Sequence, residues 1–200
     1  MTFDKTHDIQ AIYRKVLDAM SRPGKVNVLA PEVEKLTLKV DVLPATLGLI
    51  LMLLDSEVSF HVVSVRSDVI SQLISQLTYA KEENIEQADY VFVLKDAPDH
   101  TLAETFRNVK IGNLIDPQKS ATLIIEVKAV AHESSKTFTM QGPGIKDVSA
   151  LTIAVDDAWV EARKEVNGEF PFGVDAMFVD EQARIVCLPR TTQIVEDEVK

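Results

Sequence analysis

The run Tyr90-Val91-Phe92-Val93-Leu94 constrains this chain more than any other segment. It is apolar without alternation, short, and built of β-branched and aromatic residues. A strand with one wet face would alternate apolar and polar positions, so a run of this kind predicts a strand covered on both sides. Such a strand needs helices above and below its sheet. The flanking sequence provides them. Ile9, Ile12, Tyr13, Val16, Leu17 and Met20 recur at helical spacing and predict an amphipathic helix from Asp8 to Met20, stopped by Pro23 and Gly24. Leu43 to Leu54 is apolar nearly all round, with Pro44 suited to a first turn, and predicts a helix of the interior. Val69, Leu73 and Leu77 mark another amphipathic helix, with Asp68 as its expected cap. Val155, Trp159, Ala162 and Val166 mark a late one, with Asp156 or Asp157 near its start.

Further strands are expected at Val26-Asn27-Val28, from Val58 to Val63, and from Thr122 to Val127, with Phe138-Thr139-Met140 expected to pair with the last. Val174 to Val179 and Arg184 to Leu188 read as two closing strands joined by a tight turn over Asp180-Glu181-Gln182-Ala183. Helices and strands alternate in the first half, and strands dominate the second. The expected fold is therefore α/β, a mixed β-sheet flanked by helices with some antiparallel pairing. No repeat, low-complexity tract or linker is visible, so residues 1–195 read as a single domain and residues 196–200 as a frayed tail.

A formal charge of −10 argues against a general nucleic-acid binder, because phosphate backbones require a basic face. A small anionic ligand would need a local positive pocket working against that field. The longest greasy stretch, Leu47 to Leu54, is far short of the roughly 20 residues a membrane span requires. Met1-Thr2-Phe3-Asp4-Lys5 leads into no secretory pattern. The lone cysteine, Cys187, sits in the apolar run Ile185 to Leu188 and reads as a buried, inert thiol. A cytoplasmic location fits this usage.

Familiar catalytic patterns are missing: no phosphate loop ending in Lys-Ser or Lys-Thr, no Gly-x-Ser-x-Gly elbow, no His-Glu-x-x-His helix. His7, His61, His100 and His132 lack metal-ligand spacing and read as surface or structural residues, so no metal is expected. Gln141-Gly142-Pro143-Gly144-Ile145 has two glycines that permit close backbone approach. Its amides can form an anion-binding concavity, although on spacing alone an ordinary turn is favoured. Leu188-Pro189-Arg190-Thr191-Thr192 combines a guanidinium, suited to phosphonate or phosphate oxygens, with two hydroxyls. The alternative is that Arg190 pairs with a carboxylate such as Asp175 at a subunit interface. Ser21-Arg22-Pro23-Gly24 is either a second contributor to such a site or an exposed helix-stop loop. Asp175, entering an expected buried strand, requires a cation or backbone amides as partner. Asp55 is a weaker case of the same kind, or a turn residue. The candidate ligand or interface residues are thus Arg22, Gly24, Gly142, Gly144, Asp175, Arg190, Thr191 and Thr192, and none of them is assigned a catalytic role.

Taken in order, Ala19-Met20-Ser21-Arg22-Pro23-Gly24, the apolar helix running into Asp55, the strand from Ala121 to Val127, Gly142-Pro143-Gly144-Ile145, Phe170-Pro171-Phe172-Gly173-Val174-Asp175 and Pro189-Arg190-Thr191-Thr192 resemble the PhnH family of phosphonate metabolism. The succession covers about 180 residues, and it is the order rather than any single motif that carries the resemblance. What it implies is a fold similar to the large domain of pyridoxal-phosphate-dependent transferases without that cofactor's site, and no cofactor is expected. It also implies a homodimer that joins other subunits of the carbon–phosphorus lyase core complex. That assembly forms a ribose 1-phosphonate 5-triphosphate from ATP and a phosphonate. Radical cleavage of the carbon–phosphorus bond needs cluster cysteines, which this chain lacks. Two functional expectations follow, an assembly subunit without nucleophile or metal, and a module that binds a phosphonate or nucleotide phosphate. A stand-alone hydrolase or transferase would need a nucleophile–base pair that the sequence does not present.

Overall fold

The computed structural model describes residues 2–38, 40–98, 100–131 and 135–195; His132 and the expected tail at 196–200 lie outside the described residues. A seven-stranded mixed sheet forms the centre, in the order β1-β9-β8-β5-β4-β2-β3. Its strands are β1 (Asn27–Val28), β2 (Ser59–Val63), β3 (Lys81–Glu82), β4 (Tyr90–Val93), β5 (Thr122–Glu126), β8 (Asp175–Val179) and β9 (Arg184–Leu188). The neighbours from β3 to β8 run parallel, while β9 is antiparallel to both β8 and β1. The expected α/β class is what the chain adopts.

The all-apolar character of β4 has a direct explanation. Successive side chains of a strand point to opposite faces, and here each face meets its own core. Phe92 packs with Ile12 and Val16 of α1 (His7–Ser21), Leu47 and Ile50 of α3 (Pro44–Leu53), and Ile70 and Ile74 of α4 (Ser67–Thr78). Val91 and Val93 pack on the other side with Phe106 of α5 (Thr101–Asn108) and Trp159 of α6 (Ala158–Val166). A short helix, α2 (Ala30–Val33), sits between α1 and α3 in the chain.

A second sheet of three strands, in the order β10-β6-β7, covers the Trp159 side. It comprises β6 (Lys136–Gln141), β7 (Ser149–Ile153) and β10 (Gln193–Val195). This corrects the expectation that Phe138 to Met140 pairs with the strand at 122–127. Both edges of β5 are already taken by β4 and β8, so β6 pairs instead with β7 and β10. Phe138 and Met140 then point inward as a layer above the main sheet. A second correction concerns Asp68. Arg66 occupies the N-cap position of α4, and Asp68 lies in the first turn, where its charge suits the helix dipole without capping.

Two carboxylates tie distant segments together. Glu126, at the end of β5 and 6% exposed, accepts hydrogen bonds from the Leu43 amide at 2.8 Å, the Thr46 hydroxyl at 2.6 Å and the Lys95 amide at 3.1 Å. Asp89, just before β4, accepts from the amide and hydroxyl of Ser59 and from Lys110. Burial alone would raise the Asp89 pKa, but the bonds from Lys110 and Ser59 outweigh it and hold the carboxyl below its ordinary 3.8. A depressed folded-state value gives stability that is present above the unfolded pKa and lost as pH falls through the folded one. The urea midpoint is therefore expected to drop as the pH falls below about 5, and Asp89→Asn to flatten that drop. An unchanged pH profile in Asp89→Asn would remove Asp89 from the acid response.

Candidate functional site

The turn Pro189–Thr192 leaves β9 of the large sheet and leads into β10 of the small one, closed by the Thr192 amide donating to the Pro189 carbonyl at 3.0 Å. Two side chains of neighbouring sequence hold it from beneath. Arg163 of α6, 3% exposed, donates through Nη2 to the carbonyls of Pro189 at 2.8 Å and Thr192 at 2.9 Å. Asn167, just beyond α6, donates to the carbonyls of Arg190 and Val174 and accepts from the Val174 amide. Arg163 keeps an unused donor, since Nε is buried without a partner, and the buried Thr192 hydroxyl is likewise unpartnered. Desolvation pulls the Arg163 pKa down to about 10, with nearby Asp175 pulling the other way. The guanidinium therefore remains charged at neutral pH.

A cleft of about 630 Å³ opens at this turn. Among the described residues, Arg163, Lys164 and Arg190 contribute to its lining and no Asp or Glu does, against a chain charge of −10. Phe170, Phe172, Val160 and Ile194 give it apolar surface.

The anticipated segments interlock beside this cleft. Arg190 spends its donors within the chain: Nη2 reaches Asp175 Oδ2 at 2.7 Å, its backbone amide reaches Asp175 Oδ1 at 2.7 Å, and Nη1 reaches the Pro117 carbonyl at 2.7 Å. The Arg190–Asp175 pair anticipated for a subunit interface forms inside one chain. Gly142 abuts the turn so closely that a Cβ there would lie 2.9 Å from the Thr191 carbonyl oxygen. Gly144, at φ +82°, approaches the Ser21 carbonyl, and Gly24, at φ +88°, approaches Ala150 of β7; both conformations favour glycine. Pro143, Arg190, Thr191 and Thr192 line the cleft, with Asp175 behind Arg190. Arg22 stands apart from it, more than half exposed and paired with Asp18. Asp55 is a turn residue whose carboxylate accepts from the Glu57 amide.

Sequence reasoning missed Arg163, yet a signal existed. Trp159, Ala162 and Val166 define the buried face of α6 with i, i+3, i+7 spacing, and Arg163 occupies the i+4 slot of that face. A charged residue where the pattern calls for an apolar one points to a paired or ligand-facing group. Elsewhere the side chains fit structural roles. Cys187 is fully buried, and burial pushes its thiol up, away from thiolate character. His61 Nδ1 lies 2.9 Å from the Glu83 carbonyl. Among the described residues no group of three or more His, Cys, Asp or Glu side chains is placed to hold a metal ion, and no helix is long and apolar enough to cross a membrane.

Compared with known families, residues 2–195 match the one described as "Bacterial phosphonate metabolism protein (PhnH)". No curated protein matches the chain.

Proposed function

The chain belongs to the PhnH family of bacterial phosphonate metabolism proteins, and on that premise we propose that it is an accessory but required subunit of the carbon–phosphorus lyase core complex. In this reading it works in the cytoplasm as a homodimer, folded as one domain over residues 1–195. It supports formation of α-D-ribose 1-phosphonate 5-triphosphate from ATP and an alkylphosphonate, and contributes no nucleophile or metal ligand. The family match across nearly the whole chain is the observation that carries it. The buried, poorly ionised Cys187 supports the same division of labour, because radical cleavage needs cluster-forming thiolates from another subunit.

Co-purification tests the assembly role. A tagged chain expressed with the remaining core subunits is expected to come out in a stoichiometric complex. Recovery of the free chain alone would overturn the proposal, and so would conversion of ATP and a phosphonate to product by the isolated chain.

The cation-lined cleft favours a second reading, a module that binds a phosphonate or a nucleotide phosphate. In it Arg190, Thr191, Thr192 and the Gly142–Gly144 turn surround the ligand. Arg22, Gly24 and Asp175 serve the packing or the subunit interface.

A further inference from the structure

We propose that a second copy of this chain docks on the end of the molecule formed by the 111–119 loop, the 168–174 loop and the Pro189–Thr192 turn. Leu114, Ile115 and Phe170 are its apolar anchors. The inference rests on the homodimer reading and deepens it by naming the face. Among the described residues four large apolar side chains are 75% or more exposed, and three of them are here: Ile115 at 89%, Phe170 at 84% and Leu114 at 75%. Single exposed apolar residues are ordinary, but a group of them on one end marks an interaction surface.

Both loops are fixed in place. The Asn113 carboxamide oxygen accepts from the Ile115 amide at 2.9 Å and the Asp116 amide at 2.8 Å, which holds Leu114 and Ile115 on a bonded turn. The Phe172 amide donates to the Glu169 carbonyl at 2.8 Å and closes the turn that carries Phe170. The Gly173 amide, donating to the Ile111 carbonyl at 3.1 Å, joins one loop to the other. Arg190 Nη1 ties the first loop to the 189–192 turn through the Pro117 carbonyl. Anchors held in advance lose little freedom on docking.

Charge selects the occupant. The chain carries −10, so two copies repel each other wherever their excess acids face. Residues 107–119, 161–175 and 189–192 hold six Lys or Arg against five Asp or Glu, so this end is free of that excess. Glu165 pairs with Arg107, Asp116 with Lys119 and Asp175 with Arg190, which balances the charges locally. A basic partner would be drawn to the acidic faces instead. The shape suits a copy as well. A two-fold contact sets one patch against itself, and this patch has both projecting side chains and the cleft of about 630 Å³. The anchors of each copy can therefore enter the apolar cleft of the other.

The test is sedimentation equilibrium of the isolated full chain between about 1 and about 100 µM. A dimer is expected. Ile115→Ser and Phe170→Ser should each raise its Kd by about tenfold or more, and the double variant should be monomeric throughout. The urea midpoints of these variants are expected to match wild type, because both side chains stand in water within one copy. Tyr13→Ser with Leu17→Ser, on the exposed stripe of α1, is expected to leave the dimer intact. A wild-type chain still monomeric at about 100 µM would overturn the homodimer reading itself. A dimer that persists in the Ile115→Ser, Phe170→Ser double variant, or that the α1 changes dissolve, would overturn this face and leave that reading standing. A double variant that keeps its dimer but drops out of the complex with the remaining core subunits would give the face to one of those subunits.

Discussion

Replacing Glu126 by alanine is expected to destabilise the chain by about 3–5 kcal/mol, as measured by urea unfolding. The apolar helix α3 has no side-chain cap of its own, because Leu43 stands at the N-cap position. The cap comes instead from Glu126, 83 residues away in sequence, whose Oε1 accepts from the Leu43 amide and the Thr46 hydroxyl. Its Oε2 accepts from the Lys95 amide just after β4. Alanine leaves these donors without acceptors where water reaches poorly, at about 1–3 kcal/mol for each fully buried one. Glu126→Gln keeps a carbonyl acceptor and is expected to lose about half as much. Fluorescence reports the transition cleanly, since Trp159 is the sole tryptophan and packs against Phe106, Phe138 and Phe178. A loss below about 1 kcal/mol would show that α3 is held by its apolar packing alone.

Gly144→Ala is the second large effect, at about 3 kcal/mol. The residue sits at φ +82°, and an added Cβ would lie 2.5 Å from the Ser21 carbonyl oxygen. That neighbour is backbone, so relief requires the Ser21–Gly24 loop to move. The loop cannot yield freely, because the Ser149 hydroxyl of β7 is bonded to the Pro23 carbonyl. The nearby exposed change Lys146→Ala should stay within about 0.5 kcal/mol. A Gly144→Ala chain as stable as Lys146→Ala would mean that the two segments are not locked together.

Much of the main sheet was legible because it is buried on both faces. Runs such as Tyr90 to Leu94 and Arg184 to Leu188 read as covered strands, and the strands observed span Tyr90–Val93 and Arg184–Leu188. The small sheet was not legible for the opposite reason. Strand β7 is half exposed and β10 has only three residues, so neither carries a long apolar signal. Its pairing also depends on which edges of β5 are free, a fact that sequence does not contain. Helix α5 is amphipathic but only eight residues long, too short for its Leu102, Ala103 and Phe106 to stand out as a pattern.

The segments that meet at the cleft were legible, and the charge buried beneath them was not. Proline and glycine marked the segments that meet at the cleft, since close approach demands them. The charges read less well. Arg22 and Arg190 stood out in motifs but are engaged by Asp18 and Asp175. Arg163 was hidden inside an ordinary helix, distinguished only by facing the core. Glu126 was overlooked in the same way, as a carboxylate ending an apolar strand.

The pairing of β1 with β9 sets Asn27 opposite Ile185, roughly 160 residues further along the chain. During synthesis, β1 must therefore wait for the whole intervening stretch to leave the ribosome before it finds its neighbour. Until Arg184 to Leu188 emerge, β8 has one edge open and apolar surface on both faces, the kind of strand that invites pairing with another chain. Closure of the main sheet thus comes long after β1 is made. Slow codons or a stalled ribosome in this stretch would lengthen the time for which a half-built sheet depends on chaperones.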